Sequence, residues 1–256
     1  MQICEAALRK RKGPALYQEH ECFEKPNDPE SKIWRYSDLG KFLSILDKSA
    51  LWFSRADKLG DPYEASWLPY LPQETRNDHA SDVFRQNRNR MRPFQLDTTG
   101  INCWHMNEHQ SAAMWHVYVS AGQGVAIQST FRRLTECFGD CPQFVSVGLV
   151  NYIDYTSDAF RGSKINGFQP FLHKRKSYAY EKEVRAIAWP PGGQPRDLTP
   201  IQEGISVPVD LNVLVERVYV APTAAPWMLE TVVAIMDKYE FKKDVCQSDL
   251  LARPLY

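Results

Sequence analysis

The sequence predicts one α+β domain with a central mixed, mostly antiparallel sheet flanked by helices. Segments with strand and helix periodicity alternate along the chain, but without the strict β-α-β rhythm of a parallel sheet. No internal repeat, low-complexity segment or interdomain linker divides the 256 residues. We therefore expect an irregular N-terminal segment at 1–31 and a single domain at 32–256, with a polar helical insertion near 72–99.

The first elements follow from short apolar runs and one helical stripe. Residues 33–36 and 50–54 are rich in β-branched and aromatic side chains, which favours strands. Between them, an apolar stripe at helical spacing predicts a helix with Ser37 as its N-cap. The stripe consists of Leu39, Phe42, Leu43 and Leu46.

The later elements are predicted from the same patterns. Strands are expected at 101–104, 125–127, 144–153, 180–189, 207–209, 217–220 and 244–246. Helices are expected at 111–121, where Ser111 is the N-cap, and at 131–138, 168–179 and 228–239.

The composition is that of an ordinary soluble protein. Hydrophobic residues make up 43% of the chain and charged residues 24%, and the formal net charge is zero. A neutral chain has no overall field that draws in nucleic acid or anionic membrane, so such binding would need a local patch. Six cysteines are too few for a disulfide scaffold. No apolar run approaches the roughly 18–20 residues that span a bilayer, and we expect a cytoplasmic protein.

The most informative segment is the strand predicted at 180–189. Alternation places Glu181, Glu183 and Arg185 on one face, with the outer two about 13 Å apart at roughly 3.3 Å per residue. Such a row of charges fits two structures. It can be an exposed face with cross-strand ion pairs, or it can line a polar cleft.

Several short motifs lie in a fixed order along the chain: Ile33–Tyr36, Leu51–Ser54, Asp61–Glu64, Cys103-Trp104, Met114–Tyr118, Gly124–Ile127, Lys176, Tyr180–Arg185 and Val218–Pro222. This ordered set resembles a bacterial family named domain of unknown function 2971. The resemblance covers roughly residues 32–250 and implies a fold neighbourhood without an activity. One departure is Gly60, since the family usually has Asn before the Asp-Pro pair. Candidate site residues from these motifs are Asp61, Glu64, Trp115, Tyr118, Lys176 and Arg185.

Arg35 lies on the first predicted strand, Ser54 ends the second, and Glu181 and Glu183 form a Glu-x-Glu pattern on a late strand. This arrangement is similar to the ADP-ribosyltransferase plan, in which NAD is the substrate. The resemblance implies that Glu183 is catalytic and that Glu181 orients the acceptor. It implies that Arg35 contacts the phosphates or amide of NAD, and that Ser54 supports the glutamate or the ribose. Aromatic residues that can stack on the nicotinamide ring are Tyr36, Trp52 and Tyr180. Chemistry of this kind suggests a toxin or a role in phage defence.

Two other functions fit the same residues. Asp61, Glu64, Glu181 and Glu183 can form an acidic cluster for a Mg²⁺-dependent nuclease, with Lys176 as a partner. Alternatively, exposed aromatic side chains such as Trp227 can form the surface of a ligand-binding or interaction module without enzymatic activity.

Two further patterns bear on partners. Arg85, Arg88 and Arg92 lie on one helical face, which suits either a solvated surface or a nucleic-acid contact. Residues 105–109 match the H-x-x-E-H pattern of zinc peptidases, but this pattern requires a helix. Here it follows a predicted strand, so we expect solvated histidines in a loop and no resident metal.

Overall fold

The computed structural model describes residues 17–66, 86, 90, 92–119, 123–138, 143–156, 167–189 and 200–252. The strands are β1 Lys32–Asp38, β2 Ala50–Arg55, β3 Gly100–Met106, β4 Gly124–Thr130, β5 Phe144–Leu149, β6 Asn151–Ile153, β7 His173–Arg175, β8 Glu183–Trp189, β9 Gly204–Pro208, β10 Arg217–Val220 and β11 Val245–Gln247. The α-helices that the structure describes from end to end are α1 Leu39–Lys48, α2 Ala112–Tyr118, α3 Phe131–Glu136, α4 Leu211–Leu214 and α5 Pro226–Lys238.

Nine of these strands form one central sheet. Its main path runs β11-β10-β4-β1-β3-β2-β9, and β8 joins β3 to β5. Every pairing in the sheet is antiparallel except that of β10 with β11. The short strands β6 and β7 pair in parallel beside it. A mixed, mostly antiparallel sheet flanked by helices confirms the predicted α+β fold class.

The sheet forks at β3. One edge of this strand pairs with β8 along residues 100–105. The other edge pairs with β2 at Ile101 and with β1 at His105, so β1 and β2 diverge. Side chains replace the missing ladder hydrogen bonds in the fork. Arg35 Nη1 donates to the Cys103 carbonyl at 2.7 Å, and Asn102 Nδ2 donates to the Trp52 carbonyl at 2.7 Å.

The two faces of the sheet have different interiors. On one face, Ile33, Trp104 and Val184 join the main hydrophobic core with residues of α1, α3 and α5. The opposite face has two smaller clusters, one around Trp34 and Tyr36 and one that includes Ile101, Ile187 and Phe171. Glu183 and Arg185 lie on this second face, because they alternate along β8 with Val184, which faces the main core. Their direct partners on β3 are His105 and Cys103. Charged residues therefore occupy the space between two apolar clusters.

The first helix differs from the prediction at two residues. Its N-cap is Asp38, whose side chain accepts from the Lys41 amide at 2.8 Å, and Ser37 is a buried residue of β1. A carboxylate one residue later caps the same turn equally well, so the pattern did not distinguish them. Leu43 of the predicted buried stripe is 38% exposed, and Ile45 is buried instead.

The segment 168–189 departs most from the prediction. The helix expected at 168–179 is replaced by a 3-10 turn at Gln169–Phe171, strand β7 and a 3-10 helix at Lys176–Glu181. Pairing with β6 holds β7 extended. The predicted strand 180–189 begins only at Glu183, because Lys182 adopts a left-handed conformation with φ 42° and ψ 53°.

Other boundaries differ by a few residues. The strand expected at 144–153 is two strands, β5 and β6, separated at Val150. Ser111 caps α2 as predicted, and Val117 and Tyr118 near its end are exposed. Of the predicted insertion, residues 92–98 are helical, and most of 72–91 lies outside the described residues. No described helix has the length and apolar character needed to cross a membrane.

Candidate functional site

A cavity of about 720 Å³ opens at the fork in the sheet. It lies where β1 and β2 diverge from β3, and β8 contributes its floor. Residues from five strands of the central sheet (β1, β2, β3, β8 and β9), the helices α1 and α2 and the segment 174–181 border it. Its lining includes Arg35, Tyr36, Ser37, Lys41, Lys48, Trp52, Ser54, Lys58, Asp61, Glu64, Cys103, His105, Tyr118, Lys174, Tyr178, Glu181, Glu183 and Arg185.

The floor is a buried group of five charged side chains, here named the charged cluster: Glu64, Lys174, Glu181, Glu183 and Arg185. Lys174 Nζ lies 2.6 Å from Glu181 Oε2, 2.8 Å from Glu183 Oε1 and 3.1 Å from Glu64 Oε1. Arg185 Nε donates to Glu183 Oε2 at 2.6 Å, and its Nη2 donates to Glu64 Oε1 at 2.7 Å. Two cations thus bridge three carboxylates.

Local structure fixes each member of the charged cluster. The left-handed Lys182 turns the chain so that Glu181 comes beside Glu183. The amide of Glu183 donates to the Tyr152 hydroxyl at 2.8 Å, which anchors the start of β8. Because β7 pairs with β6, Lys174 is held against both glutamates. Arg185 is fully buried, and its Nη1 donates to the Phe171 carbonyl at 2.9 Å.

The charged cluster contains three acids and two bases, so one of its acids has no matching positive charge. Burial, together with a hydrogen bond to Glu183, raises the pKa of Glu181 to about 7. Burial also disfavours the charged form of Glu183, but Arg185, the hydrogen bond from Glu181 and Lys174 outweigh it and lower the pKa of Glu183. The cluster is therefore electrically balanced when Glu181 is protonated and Glu183 is ionised.

Most of the predicted site residues border the cavity. Glu181, Glu183, Arg35, Tyr36, Trp52 and Ser54 do so, as do Asp61, Glu64, Tyr118 and Arg185. Tyr36 is anchored by the Ser111 amide, which donates to its hydroxyl at 2.8 Å, and burial raises its pKa to about 12. Trp52 is 44% exposed and borders the cavity.

Three predicted candidates lie apart from the lining. Trp115 packs edge-on against Tyr36, with ring centroids 5.0 Å apart, so it supports the wall from behind. Tyr180 is half exposed and stacks with Tyr178, which does border the cavity. Lys176 is exposed, and the lysine of the charged cluster is Lys174, two residues earlier.

Sequence reasoning missed His105 and Lys174. His105 was expected in a solvated loop, but it lies on β3, is 6% exposed and pairs directly with Glu183 across the sheet. Extending the predicted strand 101–104 by one residue would have included it. Lys174 was hidden by the helix predicted over 168–179.

The nuclease hypothesis is weakened by the contacts of its acidic residues. Glu64, Glu181 and Glu183 are paired with Lys174 and Arg185, and Asp61 is paired with Arg175 at 2.7 Å. Among the described residues, no group of three or more His, Cys, Asp or Glu side chains is placed to hold a metal ion. Of the three arginines proposed to contact nucleic acid, Arg92 is exposed, and Arg85 and Arg88 lie outside the described residues.

We predict that Glu181 makes the fold less stable as the pH rises from about 4.5 to about 7. Its pKa is raised from 4.5 to about 7, so the folded protein binds this proton more tightly than the unfolded chain does. Stability is lost over that window. Glu181→Gln mimics the protonated acid and should remove this decline. The measurement is urea unfolding of both proteins at several pH values.

The difference between the two proteins isolates Glu181. His105 and His173 have pKa values lowered by burial, so each contributes stability that increases with pH in an overlapping window. Both histidines are present in both proteins and cancel in the comparison. Parallel pH profiles for wild type and Glu181→Gln would contradict the raised pKa.

Comparisons with known proteins return distant structural likenesses. Three solved structures similar to this chain are complexes of DarT from Thermus sp. 2.9 with NAD⁺, with carba-NAD⁺ and with ADP-ribosylated ssDNA. Their TM-scores are 0.39, 0.39 and 0.40, and their identities are 10%, 10% and 12%. The matches cover 87–88% of this chain and 97–98% of DarT. At this level the likeness determines neither the activity nor the site residues of this chain.

No protein-family model and no curated protein matches the chain. The resemblance to domain of unknown function 2971 therefore stays a prediction.

Proposed function

We propose that this protein is an NAD-dependent ADP-ribosyltransferase or NAD glycohydrolase that binds NAD in the forked cavity. The observation that carries the proposal is the convergence of Glu183, Arg35, Tyr36, Trp52 and Ser54 on one cavity. These residues come from three different strands. The ADP-ribosyltransferase plan requires these residues to converge in one cleft. An ion pair on an exposed strand face has no such requirement.

The cavity has the size and polarity that a dinucleotide needs. Its volume of about 720 Å³ falls within the roughly 300–1,000 Å³ of small-molecule sites. Exposed lysines at 41, 48 and 58 border it, whereas its floor is the charged cluster, in which carboxylates and cations balance. The lysines suit the anionic pyrophosphate of a dinucleotide.

Glu183 is suited to stabilise positive charge. Its lowered pKa keeps the carboxylate ionised, and its contacts with Lys174 and Arg185 fix its orientation. When the bond between ribose and nicotinamide breaks, nicotinamide leaves with the electron pair and positive charge develops on the ribose. A fixed carboxylate in a buried site stabilises such charge more than water does. The acceptor, or water, then bonds to the ribose carbon and releases a proton.

Glu181 is suited to the proton in this reaction. Its pKa of about 7 lets it exchange a proton near neutral pH, and Lys174 holds it beside Glu183. A group with such a pKa is an effective general base toward an incoming nucleophile. We therefore assign Glu183 to charge stabilisation and Glu181 to acceptor activation.

We expect Trp52→Ala to weaken NAD binding by about tenfold or more. Stacking of a base on an aromatic side chain is worth about 1–3 kcal/mol by alanine substitution. Because Trp52 is 44% exposed, its removal should leave the unfolding temperature nearly unchanged. Calorimetric titration of NAD into the folded variant measures the effect.

Trp227→Ala is the matched control for this substitution. Trp227 is 56% exposed on α5 and does not border the cavity. It should bind NAD like the wild type. Equal losses in both variants, or none in Trp52→Ala, would place NAD elsewhere.

A further inference from the structure

Three buried polar atoms without a hydrogen-bond partner belong to residues that line the cavity. Among the described residues, seven buried side-chain nitrogen or oxygen atoms have no partner. Arg35 Nε, Ser37 Oγ and His105 Nε2 are three of them. An unpaired buried polar group costs about 1–3 kcal/mol, so native structures contain few. Their concentration at one cavity indicates that a bound ligand pairs with them.

The hydrogen-bonding role of His105 is fixed by its other ring nitrogen. Nδ1 lies 2.6 Å from the Glu181 carbonyl oxygen, which can only accept, so Nδ1 carries the proton. Burial lowers the pKa of His105, which keeps the imidazole neutral. Nε2 is therefore an acceptor. His105 is 6% exposed, and Tyr36 lies beside its ring with ring centroids 6.3 Å apart.

Arg35 is anchored in the same manner. Its Nη1 donates to the Cys103 carbonyl in the fork, which fixes the guanidinium plane. Its Nε has no acceptor and can only donate. Arg35 alternates along β1 with Trp34 and Tyr36, whereas His105 pairs with Trp34, so Arg35 leaves the sheet on the face opposite His105. One small ligand group therefore pairs with His105 alone, and Arg35 is left for another part of the ligand.

We propose that His105 forms a subsite for a neutral ligand group that donates a hydrogen bond to its Nε2, such as a primary carboxamide or a hydroxyl. A carboxylate does not fit, because it has no proton for Nε2. It would also lie near Glu183, which faces His105 across the sheet with Cβ atoms about 5 Å apart in such pairs. The inference rests on the proposed function for its ligand, since NAD carries both kinds of group.

The test compares NAD with nicotinic acid adenine dinucleotide, which differs only in having a carboxylate in place of the carboxamide. Both are titrated into wild type and His105→Asn by calorimetry. The asparagine amide can still donate to the Glu181 carbonyl, but it has no atom at the position of Nε2. We expect the variant to bind NAD about tenfold more weakly than wild type, the effect of one lost hydrogen bond to a buried group.

The two dinucleotides distinguish the two ligand groups. If wild type prefers NAD and His105→Asn loses that preference, the subsite holds the carboxamide. If wild type binds both equally and the variant weakens both, it holds a hydroxyl. Unchanged affinities in the variant would overturn the subsite while leaving the proposed function intact. No binding of NAD by the wild type would overturn both.

A second variant protects the test against misfolding. If His105→Asn does not fold, His105→Phe takes its place, because phenylalanine keeps a ring but has no acceptor at the position of Nε2. The same tenfold loss supports the subsite, and wild-type affinity in His105→Phe overturns it.

Discussion

Lys174→Met is expected to destabilise the fold by about 3–5 kcal/mol, the usual cost of removing one partner from a buried ion pair. Lys174 Nζ contacts Glu64, Glu181 and Glu183 within 3.1 Å, and its side chain is 7% exposed. Without it, three buried carboxylates share Arg185 alone. Urea unfolding at pH 7 measures the loss, which should shrink at lower pH because the glutamates can then be protonated.

The control for this substitution is Lys25→Met. Lys25 also forms an ion pair, with Glu19, but both side chains are largely exposed at 42% and 72%. Exposed pairs contribute about 0–1 kcal/mol, so this variant should remain close to wild type. Similar losses in the two variants would show that the charged cluster is not specially stabilised by Lys174.

Glu183→Gln is expected to reduce NAD cleavage by about 10²–10³-fold, the range for removing one fixed electrostatic contact from a transition state. The structure adds a second effect that the sequence did not indicate. Glu183 neutralises Lys174 and Arg185, so its replacement also lowers stability. Loss of activity therefore has to be separated from loss of fold.

Glu64→Gln provides that separation. Glu64 pairs with the same two cations, at 3.1 and 2.7 Å, so the substitution removes the same charge from the same cluster. Both variants should lose stability to a similar degree. Assayed well below their unfolding temperatures, Glu183→Gln should lose far more activity than Glu64→Gln. Equal activities in the two variants would remove the special role of Glu183.

The parts of the fold that depend on local pattern could be predicted from the sequence. The apolar stripe of α1, the Ser111 cap of α2 and the strands β2 and β10 follow from periodicity and capping chemistry. The 3-10 helix before β8 could not be foreseen, because the left-handed turn at Lys182 lacks a glycine signal. The extended β7 depends on pairing with β6, which is a tertiary contact.

The candidate site could be predicted only as a set of residue types. The alternation Glu-x-Arg in β8 predicted that Glu183 and Arg185 share a face, and they do. Whether that face is exposed or lines a cleft depends on the fork between β1 and β2. The fork results from the order of strands around β3, and no local pattern in the sequence specifies that order. His105 was missed because the predicted strand ended one residue before it, and Lys174 was missed because a helix was predicted over 168–179.

The most direct measurement is nicotinamide release from NAD by the purified protein, with wild type, Glu183→Gln and Glu64→Gln assayed side by side and their folding checked by circular dichroism. The account predicts release by wild type and a loss of at least about a hundredfold in Glu183→Gln, with a smaller loss in Glu64→Gln. Equal release by wild type and Glu183→Gln, or a wild-type protein that neither binds nor cleaves NAD, would contradict it.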